Sequence, residues 1–360
     1  MAIYVIHPGA MTSVQDLGRK GYLSMGVAHA GAMDAPAVRL ANALLGNVSH
    51  APVFEVLLKG PKLKVTSEGA VAVVGHSLAY ESPDVSQFPV MINGIPVAMG
   101  EVHWLNVGDV LEVGAARWGA RCWMAFSGGI AVAKVLGSAS THLKSQMGGI
   151  LGRSLKSDDT CTFGKGDVSN GDCLTHIGNR LEEAAALASF LPHANAMVIP
   201  VMCGPQAERL SDASLKRFYH QEFTLTQQCD RMGYRLQGAP LEYREASQPD
   251  ILSEPNAIGA IQVPGDGQPL VLLHDAGTTG GYGKVAIVPK VFLRNLSQMR
   301  PGDTIKFVQM GIGEAQTLLL EQDAHMRLYE TKLCNYKRPS DKSYRISVLG
   351  KYYHAFVQEI

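Results

Sequence analysis

The 360-residue sequence predicts a mainly β protein with two tandem β-barrel domains and a few short helices. Two observations lead there. Short apolar runs rich in β-branched residues, punctuated by Gly, Pro, Asn and Asp, recur at 53–58, 63–65, 71–74, 110–113, 122–126, 270–273, 285–288 and 304–308. Runs this short between turn residues are strands, and many short strands with few helices favour closed or nearly closed barrels. The second observation is an internal echo, in which Arg19-Lys20-Gly21-Tyr22 with Gly26 returns as Arg231-Met232-Gly233-Tyr234 with Gly238. Glu55 with Gly60 then matches Glu254 with Gly259, and Gly108-Asp109 matches Gly302-Asp303. Marks repeated in one order predict one loop geometry built twice, one copy in each barrel.

The helices follow from caps and spacing. Residues 35–45 carry apolar positions 38, 41, 44 and 45 behind Asp34, a helix-capping type, with Pro36 in the first turn. An Ala- and Leu-rich stretch at 180–190, with Glu182 and Glu183 near its start and Pro192 beyond its end, reads as a connecting helix. Shorter helices are expected at 212–219 and 312–324. The resulting division is a first barrel with the connecting helix over 1–192, a second barrel over 193–325, and an extension over 326–360. The extension reads as a β-hairpin turning at Gly350-Lys351.

Thirty-two basic and 32 acidic side chains leave no net field to hold nucleic acid or an anionic membrane. Six scattered cysteines, without C-x-x-C or zinc-ligand spacing, read as free thiols in a reducing compartment. The histidines show no ligand pairing, so no metal site is expected. With no apolar run near membrane-spanning length and no secretory leader, a cytoplasmic location is expected.

Three polar clusters could carry chemistry. The first combines Gln15, Asp16 and Arg19 with His29 to Asp34; an arginine there can grip a carboxylate or phosphate through two nitrogens. The second runs from Glu254 through Gln262 and Asp266 to His274, Asp275, Thr278, Thr279, Tyr282 and Lys284, where closely spaced strands would gather polar groups at a barrel mouth. Its Gly277–Lys284 segment is not a Walker phosphate loop, because Thr278 stands where glycine is required and Val285 replaces the Ser or Thr that ligates magnesium. The third, Ser127 to Lys144, reads as a polar loop, since neighbours in sequence are seldom partners in a catalytic triad.

These motifs resemble the C-type subunit family of 5-oxoprolinase. The resemblance is carried by Thr12 to Tyr22, Gly31-Ala32-Met33-Asp34, Arg39 to Asn42, Gly137 to Thr141, Asp230 to Leu236, and Gln262 to Tyr282. The same family includes allophanate hydrolase subunit 2, biotin-dependent carboxyltransferases and KipA-type proteins. It implies two cyclophilin-like barrels and, for a partner, a KipI-like B-type subunit; in the oxoprolinase an A-type subunit joins them. The implied reaction is ATP-dependent opening of 5-oxoproline to glutamate, the nucleotide being bound by the complex. The alternatives are carboxyl transfer to a urea-like amide, with biotin supplied by another chain, and a KipA-like regulatory binder. The expected catalytic residues are Asp16, Arg231 and Asp275. Substrate binding is expected from Arg19, Asp34, Asp230, Arg235, Gln262, Thr278, Thr279, Tyr282 and Lys284, with Arg231 favoured over Arg19 to face substrate. Gly277 stands where family members often carry glutamine, and Ala28 and Ala30 replace larger or polar residues.

Overall fold

A computed structural model describes residues 1–77, 81–165, 196–244, 249–335, 342–348 and 351–357. Strands dominate, as the turn-punctuated runs predict. In the first half a six-stranded sheet and a five-stranded sheet enclose one apolar core containing Ile3, Val5, Phe54, Val56, Leu63, Val71 and Phe126. In the second half seven strands form a closed barrel around Phe218, Phe223 and Phe307, the first and last of these stacked at 4.9 Å between ring centroids. A separate two-stranded ladder pairs Asp250–Pro255 with Thr279–Tyr282 beside that barrel. The predicted connecting helix at 180–190 lies outside the described residues.

Strand Arg121–Phe126 is buried at every position, which a half-buried strand cannot be. The reason is that both of its faces are covered. Cys122, Met124 and Phe126 enter the first-half core, while Trp123 and Ala125 join a second cluster that continues into the barrel of the other half. Gly69–Val74 divides the same way, with Val71 and Val73 on one side and Ala70, Ala72 and Val74 on the other. Polar ties follow the seam. Gln298 Oε1 accepts from Gln87 Nε2 and from the amides of Ala120 and Arg121, and Arg121 donates to Tyr234 Oη at 2.9 Å.

Helix Ala35–Leu44 lies on this seam. Asp34 caps it by accepting from the Ala37 amide at 3.0 Å, Pro36 occupies the first turn, and Ala37, Val38, Leu40, Ala41 and Leu44 are buried. The helix expected at 312–324 continues to Asn335 and packs against it. Arg39 clamps the two, donating from Nε and Nη2 to Glu330 and from Nη1 to Asp323, at 2.7 to 2.8 Å. With Met326, Tyr329 and Leu333 buried in the core, these bonds hold the stretch of the helix beyond position 324. Arg39→Ala is expected to cost about 1 kcal/mol. The loss should appear as faster amide exchange over 323–333; unchanged exchange there would contradict the clamp.

The echoed marks do not fold alike. Gly108 and Gly302 do share one turn, with φ of 94° and 96°. Each exchanges a pair of backbone bonds with a neighbouring strand: Gly108 and Asp109 with Val65, Gly302 and Asp303 with Leu225. In each turn the aspartate Oδ2 also accepts an amide three residues back, from Asn106 and from Arg300, at 2.7 Å. The arginine copies diverge. Gly21 and Gly26 adopt positive φ around a 3-10 turn, Leu23–Met25, whereas Gly233 opens the ordinary strand Gly233–Gln237. Arg19 and Glu55 precede the strand that exchanges bonds with the Gly-Asp turn, while Arg231 and Glu254 follow theirs. The shared spelling therefore does not mark equivalent places in two copies.

Candidate functional site

Two polar centres emerge, one sealed in the seam and one open at the barrel edge. The sealed centre is built on the turn between Glu222–Cys229 and Gly233–Gln237. Asp230 Oδ1 accepts the amides of Met232 and Gly233, which fixes the turn and aims Arg231 into the seam. Arg231 grips Asp275 through Nε and Nη2, both at 3.0 Å, and donates from Nη1 to Glu55 at 2.6 Å. Nη2 also reaches the Gly31 carbonyl and Gln15 Oε1. Glu55 Oε2 in turn accepts from the Met33 amide at 2.8 Å and from Trp123 Nε1 at 3.0 Å. Burial alone would lower the basicity of Arg231, but the carboxylates of Glu55 and Asp275 outweigh it and hold the guanidinium charged.

Arg231, expected to face substrate, lies in the seam between the halves. Each of its nitrogens already has a protein acceptor, and it is buried, so its place is that of a tie between the halves. Asp16 is similarly occupied. Its carboxylate accepts from the Gly18 amide, Ser138 Oγ, the Ala139 amide and Ser140 Oγ at 2.5 to 2.8 Å, which uses the roughly four acceptor directions a carboxylate has. The polar loop read at 127–144 thus supplies the groups that hold Asp16. Arg19 is bound at two nitrogens by the carbonyls of Val135 and Ser140, while Nη1 is shielded from solvent and makes no hydrogen bond among the described residues. Gly18 is required where it stands, since at φ 86° a Cβ would lie 2.3 Å from the His29 ring.

Asp34 belongs to the seam as well. It caps its helix and accepts from Arg294 Nε at 3.1 Å, with His76 Nδ1 at 3.8 Å. Burial favours its neutral form, yet Arg294, His76 and the Ala37 amide together hold the carboxyl below its ordinary range.

The open centre lies where the barrel meets the two-stranded ladder. Lys284 and Gln262 face each other across neighbouring barrel strands, and both are buried. Lys284 Nζ donates to Glu254 Oε1 at 2.8 Å, and Gln206 Nε2 donates to the same oxygen at 2.9 Å. Lys284 is the leading cause of the lowered pKa of Glu254, which keeps that carboxylate ionised at neutral pH. Gln262 Nε2 reaches Asn256 Oδ1 at 3.3 Å. Thr278 lies beside this group, its carbonyl accepting from the Asn256 amide, while Thr279 and Tyr282 are exposed on the ladder. Arg235 stands apart, paired with Asp266 on the partly exposed strand Gly233–Gln237. Of the expected site residues, Gln262, Thr278, Thr279, Tyr282 and Lys284 come together here. Asp34, Arg231 and Asp275 go to the seam, Asp16 and Arg19 are tied to the loop at 135–140, and Asp230 shapes a turn. Gln206 and Asn256 carried no signal in the sequence, because single amides outside any motif become visible only once strands converge.

The segment 277–284 does not cradle phosphate. Thr279–Tyr282 is paired as a strand, and strand Lys284–Ile287 follows it in place of a helix. The residues present therefore do not fit a nucleotide at this place.

A closed barrel sealed through buried ion pairs to a two-sheet half, with polar side chains gathered at one barrel edge, defines a two-subdomain β protein. The family model described as the carboxyltransferase domain, subdomain A and B, matches residues 25–309, and the chain belongs to that family. The C subunit of Escherichia coli 5-oxoprolinase is 33% identical over 331 residues, covering 92% of this chain and 98% of that protein. Urea amidolyase of Lachancea kluyveri is also 33% identical, over 91% of this chain but 18% of its own length. The crystal structure of Kluyveromyces lactis urea carboxylase superposes with a TM-score of 0.81 at 29% identity, covering 99% of this chain. This chain spans about a third of that protein, 32%. Among the described residues no helix is long and apolar enough to cross a membrane.

Proposed function

We propose that this chain is the C-type subunit of an ATP-dependent 5-oxoprolinase, opening the 5-oxoproline lactam to glutamate together with its A- and B-type partners. The observation that carries this reading is reciprocal coverage. The chain and the C subunit of Escherichia coli 5-oxoprolinase match over nearly their whole lengths, whereas the urea amidolyase relative contains the match as a small part. The sealed and occupied state of Arg231, Asp16 and Asp275 favours a role for the seam in holding the two halves in register. The open edge around Lys284, Glu254, Gln262 and Tyr282 is then the surface offered to substrate. The nucleotide belongs to the assembled complex, since 277–284 does not fit one.

A second reading, carboxyl transfer to a urea-like amide from a biotin carried by another chain, is favoured by the likeness to urea carboxylase over almost the full chain. Reconstitution with the A- and B-type partners separates the two. Glutamate release from 5-oxoproline that requires ATP and survives avidin is the expected result. Release without ATP dependence, or none at all, would sink the oxoprolinase reading, and avidin-sensitive carboxylation of urea would establish the second.

A further inference from the structure

We propose that Glu254 and Lys284 form a recognition pair for the neutral N–H/C=O edge of an amide group in a small ligand, with Glu254 Oε2 accepting the N–H and Lys284 Nζ donating to the carbonyl. The bonding pattern points there. Glu254 Oε1 is occupied twice, by Lys284 and by Gln206, while Oε2 accepts nothing among the described residues. Lys284 Nζ carries three protons and gives one to Glu254. A free acceptor and a free donor are left side by side on one ion pair. The lysine side chain is 4% exposed and the glutamate 37%, so the donor is desolvated and the acceptor is reachable.

The surroundings keep that place open. In the two-stranded ladder Glu254 lies opposite Gly280, so no side chain from the facing strand covers the carboxylate. A Cβ at position 280 would crowd the two amides, sitting 2.7 Å from Gln262 Nε2 and 2.9 Å from Asn256 Nδ2. The pair's charges cancel. An anionic group would meet Glu254 and a cationic one Lys284, so a neutral group with adjacent donor and acceptor is the ligand that satisfies both. Lactams present this edge because the ring holds N–H and C=O on one side, and urea presents it through the N–H syn to its oxygen. The amide class follows from the pair itself, and the choice of 5-oxoproline as first probe rests on the proposed function.

The test uses the full chain assembled with its partner subunits. Affinities of 5-oxoproline, its lactone analogue with oxygen in place of the ring N–H, and urea are measured by ligand-detected NMR without ATP. The wild type is expected to favour the lactam over the lactone by about tenfold or more, the range for one hydrogen bond to a charged group. Glu254→Gln keeps an oxygen for Lys284 and Gln206 but can present its amide N–H₂ toward the ligand N–H, so that preference should vanish in the folded variant. A wild type that treats lactam and lactone alike overturns the proposal without any variant, and so does a variant that keeps the preference. If 5-oxoproline fails to bind while urea binds and is lost in Glu254→Gln, the oxoprolinase reading falls and the amide-edge assignment stands. Binding of none of the three probes overturns the assignment.

Discussion

Arg231→Met is expected to remove about 3–5 kcal/mol of stability, a large part of the roughly 5–15 kcal/mol that holds a typical domain folded. The methionine fills the space, but Glu55 and Asp275 are left as buried carboxylates facing each other across the seam. Deleting one partner costs more than the pair was worth, since the desolvated charges lose their counter-ion. The companion variant Arg231→Met/Glu55→Gln/Asp275→Asn neutralises all three groups and should recover about half of the loss or more. Denaturant midpoints followed by tryptophan emission report this directly, because Trp123 Nε1 is bonded to Glu55. If the single and triple variants lose equal stability, charge balance is not what Arg231 provides.

The second large effect is acid sensitivity from His274. Burial, then the positive charges of Arg231, His29, Arg121 and Lys290, lower its pKa to about 3, and its Nδ1 is shielded from solvent and makes no hydrogen bond among the described residues. The folded protein therefore keeps this imidazole neutral, while the unfolded chain takes up a proton below about pH 6.5. Stability contributed by the neutral ring is present above that value. It falls as pH drops toward 3, by up to ~1.4 kcal/mol per pH unit. Between pH 7.5 and pH 5 the loss from this one group is about 2 kcal/mol. His274→Gln should flatten the acid limb by that amount; a stability profile parallel to that of the wild type would show that His274 does not set it.

Legibility in the sequence followed range. Strands at 110–113 and 122–126 and the helix after Asp34 were readable because periodicity, turn residues and caps act over a few neighbours. The long helix outruns its expected end at 324 with Met326, Tyr329 and Leu333 buried in the core and Arg39, nearly 300 positions away, bonded to it, contacts that no local window contains. Site residues were legible by type, but their grouping was not. An arginine beside glycines looks the same whether it meets a ligand or two buried carboxylates, and only the fold brings Glu55 to Arg231 across 176 positions. The Arg-Gly-Tyr spelling was the most misleading signal, since one copy starts a strand and the other turns through positive φ. The Gly-Asp turn carried the true correspondence because its geometry demands both residues.

The seam strands buried on both faces have a consequence for inheritance. Glu55 comes from the first half, and Arg231 and Asp275 from the second, so either half made alone would display a bare apolar sheet face and an unbalanced inward charge. The halves are therefore not interchangeable modules. A gene exchange with a breakpoint between them would succeed only if both sides of the seam travelled together, which makes the pair one hereditary unit despite its division into two halves.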